Sequence, residues 1–149
     1  MKKKCLSDSH CPIARAYDAI GDWWSLLILS TILLAGARRF GEIQQTLGMA
    51  RNILSSRLSK LVKNGILIKV PASDGTNYFE YAATEMGEDL LPALVALRQW
   101  GERYFFDSNQ CRSALVSREK GELIRPVTVC SKAGRELRVS DLKVIERDS

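Results

Sequence analysis

The sequence predicts a mainly α-helical chain carrying one small β-hairpin, and three observations support that reading. Apolar residues recur three and four apart across most of residues 12 to 64 and again from 85 to 105, the period of helices with one buried face. Gly, Pro and Asp stand where such helices would start and stop. Two strand-like runs, 66 to 70 and 78 to 83, flank the segment Pro71-Ala-Ser-Asp-Gly-Thr-Asn77, in which Asp74-Gly75 is a strong turn signal. At 149 residues the chain can bury one core but hardly two, so one domain with appendages is expected.

The first helix opens at Cys11-Pro12, because a proline at the first helical position gives up an N–H that has no partner there anyway, and it runs to about Ile20. Gly21 breaks it, and Asp22 caps a second helix, 23 to 34, that ends near Gly36. Residues 23 to 37 carry no charge, so this second helix is expected to be the spine of the core. Residues 39 to 47 form a short amphipathic helix through Phe40, Ile43 and Leu47, closed by a tight turn at Gly48. From 51 to 64, Leu54, Leu58, Leu61 and Val62 make the next apolar stripe, and Gly65 sits at the C-terminal stop. Two short helices joined by a glycine turn have the spacing of a helix-turn-helix, whose second helix enters the major groove of DNA. The hairpin at about 66 to 83 then reads as its wing.

Thr84 caps a long helix, roughly 85 to 105, in which Pro92 is expected to introduce a kink. Its apolar residues Leu90, Leu91, Leu94, Leu97 and Trp100 point to pairing with a second copy of the chain, packing on its own domain being the alternative. Residues 107 to 149 mix charge with short apolar runs and read as a weakly structured extension or a small hairpin. The expected organisation is an N-terminal arm (1–11), a winged helix-turn-helix domain (12–106) that dimerises through its terminal helices, and a C-terminal extension (107–149).

Hydrophobic residues at 46% and charged residues at 26% describe an ordinary globular chain, without the composition of disorder. The uncharged stretch is shorter than the roughly 20 residues needed to cross a bilayer, so no membrane partner is expected. Residues 1 to 4 resemble the charged start of a signal peptide, but residues 5 to 15 supply no apolar core for secretion, and a cytoplasmic location follows as the expectation. Cys5, Cys11, Cys111 and Cys130 form no C-x-x-C pair, which argues against a disulfide scaffold. There is one histidine, no G-x-S-x-G, no phosphate-binding glycine loop and no metal-spaced cluster. The sequence is therefore not read as an enzyme, and neither cofactor nor metal is expected.

The formal net charge is +5, and its distribution says more than its total. Between Arg38 and Lys69, seven basic residues (Arg38, Arg39, Arg51, Arg57, Lys60, Lys63 and Lys69) face Glu42 alone, a local excess of +6. Such a segment attracts a phosphate backbone, whose binding is electrostatic and salt-sensitive; a merely solvated helix face is the alternative. At about 100° per residue, Leu54, Leu58 and Leu61 fall together, with Asn52, Ser56, Ser59, Lys60 and Lys63 opposite and Arg57 at the flank. The opposite face is expected to meet double-stranded DNA. Asn52 suits an adenine edge, and Ser56 adapts to base or phosphate, while Arg38, Arg39, Lys60 and Lys63 supply mainly phosphate contacts; Arg51, Ser55 and Arg57 complete the expected DNA-binding set. Cys11, at a helix start with Arg15 one turn on, is expected to have a stabilised thiolate; an unreactive capping residue is the alternative. His10, the only histidine, is expected to be loop surface.

Several segments in this order resemble the HxlR-type winged helix-turn-helix regulators, relatives of the MarR group. They are Cys11-Pro-Ile-Ala-Arg15, Ile20-Gly-Asp-Trp23, Arg38-Arg-Phe-Gly-Glu-Ile43, Leu54-Ser-Ser-Arg-Leu58, Leu61-Val-Lys-Asn-Gly65, Glu80-Tyr81, Thr84-Glu-Met-Gly87 and Trp100. The resemblance runs from about Cys11 to Tyr104 and implies a small DNA-binding homodimer acting as repressor or activator. It also implies that the cysteine at position 11 can sense oxidants or electrophiles, as in several members, so an oxidant or small-molecule effector belongs among the expected partners. Three positions depart from the pattern. Ala50 replaces the usual Ser or Thr before the recognition helix, the wing tip carries Asp74 and no Lys or Arg, and Ala133 stands where many relatives have a second cysteine after the one matching Cys130. The absent cap and acidic wing keep open a second reading, a winged-helix interaction adaptor that no longer binds specific DNA. Operator sequence, target genes and the sign of regulation leave no trace in the residues.

Overall fold

The structure, a computed structural model, describes residues 6–107 and 110–145 and divides into two compact units, Met1–Leu94 and Val95–Ser149. Of the expected N-terminal arm, residues 1–5 lie outside the described part. The first unit contains α1 (Pro12–Ile20), α2 (Trp23–Leu33), α3 (Phe40–Leu47) and α4 (Arg51–Lys63), then a hairpin of β1 (Leu67–Pro71) and β2 (Phe79–Ala83), and a single helical turn, α5 (Glu85–Glu88). A longer helix, α6 (Leu91–Phe105), begins in this unit, and its residues from Val95 onward belong to the second.

Local chemistry sets these bounds. Asp22 caps α2, its Oδ1 accepting the Ser25 N–H at 3.2 Å, and α2, apolar nearly all round, buries Ser25, Ile28, Leu29, Thr31 and Ile32 while leaving Trp23 and Leu27 exposed. Glu42 reaches back from α3 to accept the N–H groups of Arg38 and Arg39 at 2.9 and 3.0 Å. Gly48 turns the chain into α4 with a left-handed backbone, φ 62°. Beyond α4, the Ile66 N–H bonds back to the Leu61 carbonyl at 2.9 Å and that of Gly65 to Val62 at 3.0 Å. Ile28 and Leu29 of α2, Ile43 of α3 and Leu54, Leu58 and Leu61 of α4 are all completely buried, and Ile66, Leu67, Tyr81 and Leu94 close the core around them.

The two strands pair antiparallel in the register Leu67↔Ala83, Lys69↔Tyr81 and Pro71↔Phe79. The Tyr81 N–H also donates to the Arg38 carbonyl at 2.8 Å, so the segment ahead of α3 lies along the free edge of β2. Thr84 closes the hairpin by donating its hydroxyl to the Gly65 carbonyl at 2.6 Å while accepting the Gly87 N–H at 3.2 Å. A Cβ on Gly87 would come within 2.3 Å of the Ile66 carbonyl oxygen, so only glycine permits this approach. The mainly α architecture with one β-hairpin wing is the one expected from sequence.

One expectation needs correction. Residues 85 to 105 do not form one kinked helix; the helix is broken at residues 89 and 90. Pro92 has no N–H for the Glu88 carbonyl and its ring would crowd that turn, so the chain restarts, with Pro92 tolerated in the first turn of α6.

In the second unit, residues 110–145 run largely without regular structure. Two antiparallel bridges, Val116↔Leu123 and Cys130↔Glu136, close turns at Gly121 and Gly134, and a 3-10 turn covers Val139–Asp141. Side chains from α6 hold this segment: Arg98 donates to the Ser113 carbonyl at 2.8 Å, and Gln99 bonds the Arg125 carbonyl and the Val127 N–H at 2.9 and 2.8 Å. Together they line an open groove of about 670 Å³ that includes Trp100, Tyr104, Leu115 and Ile124. Among the described residues, no helix is long and apolar enough to cross a membrane.

Candidate nucleic-acid interface

α4 presents three different faces. Leu54, Leu58 and Leu61 point into the core with no exposure. Arg51, Asn52, Ser55, Ser56, Ser59 and Lys63 are exposed to solvent, and Arg57, Lys60 and Asn64 are half-buried along one flank. Ala50 occupies the N-cap with extended backbone and offers no side-chain acceptor, as the sequence indicated. The Arg51 guanidinium lies 5.1 Å from the centre of the Phe40 ring, which steadies it at the start of the helix. The structure therefore brings Arg51, Asn52, Ser55, Ser56 and Lys63 together on one open surface.

The flank residues are already engaged. Arg57 Nε lies 2.6 Å from Asp22 Oδ2, and the Lys60 ammonium donates to the Asp18 carbonyl at 2.8 Å. Asn64 donates to the Ala19 carbonyl at 2.7 Å. Sequence reasoning placed Lys60 on the open face, named Asp22 only as a helix cap and passed over Asn64; nothing local to residues 51 to 64 shows that the α1–α2 junction packs on that flank.

Arg38 and Arg39 belong to a second cluster at the base of the wing. Arg38 Nε stands 3.2 Å from the buried Glu80 Oε2, and Arg39 pairs with Asp74 and lies 3.7 Å from Glu80 Oε1. Ser73 donates its hydroxyl to Glu80 at 2.9 Å. The Ser73 hydrogen bonds, aided by the two arginines, hold the Glu80 carboxyl below its ordinary value. Arg39 and then Thr76 hold Asp74 well below the usual carboxylate range, and Asp74 in turn raises Arg39. Wing and α3 entry are thus joined by charge, and the acidic wing tip is the partner of Arg39. Both arginines stay part-exposed, with 49% and 37% of their side-chain surface open. Lys69, on β1, sits 4.4 Å from the centre of the Phe79 ring.

Cys11 is exposed at the N-cap of α1, its N–H bonded to Ser9 Oγ at 3.2 Å, and is not in a disulfide. The Arg15 guanidinium turns to the Ser9 carbonyl.

A three-helix core with a helix-turn-helix and a hairpin wing, exposing a polar and basic second helix, defines the winged-helix class of transcription factors. The model of the HxlR-like helix-turn-helix family matches residues 19–109, and the chain belongs to that family of transcriptional regulators, whose members are not enzymes. An HTH-type transcriptional regulator of Mycobacterium tuberculosis is 38% identical over 125 residues, covering 84% of this chain and 78% of the relative. The crystal structure of PA1607, a candidate transcription factor, superposes with a TM-score of 0.86 at 42% identity, covering 97% of this chain and 100% of that one. The redox regulator HypR in its reduced form superposes with a TM-score of 0.55 at 26% identity, covering 62% of this chain and 92% of that one.

Proposed function

We propose that this chain is a sequence-specific, duplex-DNA-binding regulator that acts in the cytoplasm as a homodimer on an operator with two-fold pseudo-symmetry. The observation that carries the reading is the open row Asn52, Ser55, Ser56 and Lys63 on α4, backed by three fully buried leucines that hold the helix rigidly beneath it. Asn52 and Ser56 read base edges in the major groove, and Arg51 and Lys63 neutralise phosphates. Arg38 and Arg39 lend further phosphate contacts through guanidinium N–H groups that Glu80 and Asp74 leave unused, since each arginine has five. Dimerisation through the terminal helices is supported by Leu97, Trp100, Tyr104 and Phe105, which α6 leaves exposed. Two recognition helices would then lie about 34 Å apart, one turn of duplex. Control by thiol oxidation or electrophiles through Cys11 is supported by its exposure at the start of α1 and by the likeness to HypR.

The test incubates reduced protein with sheared genomic DNA at moderate salt and sequences the fragments that stay bound. A few sharp peaks sharing an inverted repeat are expected, and thiol oxidation should change the retained set for wild type but not for Cys11→Ser. Uniform retention or none would sink the sequence-specific reading in favour of an interaction adaptor.

A further inference from the structure

We infer that Arg57, Lys60 and Asn64 form an internal clasp that positions the recognition helix by its flank and make no phosphate contact. The inference rests on the DNA-binding reading above. The three residues follow each other at spacings of three and four, so they share one flank of α4, and all reach the stretch 18 to 22 at the α1–α2 junction. The Lys60 ammonium sits at the C-terminal end of α1, where unpaired carbonyls concentrate partial negative charge. Asn64 satisfies the next carbonyl, that of Ala19.

Asp22 divides its carboxylate between two helices, Oδ1 capping α2 through Ser25 and Oδ2 holding Arg57 of α4. Gly21, at φ 106°, makes the room: a Cβ there would lie 3.1 Å from Lys60 Nζ. Drawing these side chains out to a phosphate would take the side-chain donors from the carbonyls of Asp18 and Ala19 and leave Asp22 Oδ2 without Arg57, a cost no solvated lysine bears. α1 has no fully buried residue and reaches the core only through the part-buried Ile20, so these flank contacts add to its placement and couple the set of α4 to it.

The test measures retention of sheared genomic duplex DNA across a salt series, for wild type and three variants. One lost phosphate contact lowers the slope of log affinity against log salt by about 0.9. Lys63→Met should show that drop. Lys60→Met, which keeps the stem, should weaken binding several-fold with the slope unchanged and speed amide hydrogen exchange at residues 17 to 22. Asp22→Asn keeps a competent cap but loosens Arg57; it should also weaken binding, although removing a negative charge would by bulk electrostatics tighten it. Tighter binding by Asp22→Asn, or a slope loss in Lys60→Met equal to that of Lys63→Met, overturns the clasp. Should wild type itself not be retained at low salt, the DNA-binding reading fails, and the exchange measurement alone decides the clasp: unchanged protection at residues 17 to 22 in Lys60→Met overturns it.

Discussion

The first unit and the C-terminal extension bury their apolar residues to opposite degrees. In the first, the inward side chains of α2, α3 and α4 meet in one continuous core, and Ile28, Leu29, Ile43, Leu54, Leu58 and Leu61 have no exposure. In the extension, Val129 is 56% exposed, Val139 90% and Val144 100%, and the segment is held to α6 largely by side-chain-to-backbone hydrogen bonds from Arg98 and Gln99. Apolar burial supplies most folding free energy, at roughly 25 cal/mol per Å², so a segment that buries little adds little to its own stability. The α4 helix therefore stands on a finished apolar platform, whereas the extension rests on a few hydrogen bonds with little apolar burial of its own.

The sharpest way to break that contrast is to remove a leucine from under α4. Leu58→Ala should cost about 2–5 kcal/mol, the loss of buried methyl groups plus the cavity left behind, measured by urea denaturation. DNA retention below the unfolding transition should fall with it, because the open row of Asn52, Ser55 and Ser56 is held in place from beneath. A loss under about 1 kcal/mol would mean that the core can collapse around the gap and that α4 is less rigidly seated than its burial implies.

A smaller effect is expected at the wing, where an ion-pair cluster adds to the apolar burial of Leu67 and Tyr81. Glu80 and Asp74 both titrate below their ordinary values, so the unfolded carboxylates take up protons first as the pH falls. Their contribution is complete above the ordinary carboxylate range and is lost as pH drops through the lowered values, which makes the protein acid-sensitive below about pH 4. Glu80→Gln should flatten that acid limb of the melting temperature while lowering the plateau near neutrality. An unchanged acid limb would show that the Ser73 hydrogen bonds and the two arginines give Glu80 no protection in solution.

These two regions also differ in how far they could be read from the residues. Helix bounds were legible because their signals are local: Pro12 and Asp22 at starts, Gly48 and Gly65 at stops, Thr84 at the wing's end. The buried leucine stripe of α4 followed from spacing alone. The break after Glu88 differs from the expected kink because a proline in the first turn of a new helix and one inside a kinked helix leave the same mark in the sequence. The fate of the basic residues was less legible still. The local excess of +6 counted only residues 38 to 69, but the carboxylates that take Arg38, Arg39 and Arg57 are Glu80, Asp74 and Asp22, all outside that window. A helical wheel of α4 separates core from solvent, yet it has no means of showing a third element packed on the flank.

The smallest expected effect lies at the end of the extension. Val144→Ser and Val139→Ser should each change the stability of dilute protein by less than about 0.5 kcal/mol, since neither side chain is withdrawn from water. If the terminal helices and extension are covered by a second copy, the same substitutions should weaken self-association by sedimentation at higher concentration, so the cost would grow with protein concentration while Leu58→Ala stays independent of it. A loss above about 1 kcal/mol in dilute protein would mean that these valines are packed by their own chain, and the division between a finished platform and a dependent extension would no longer hold.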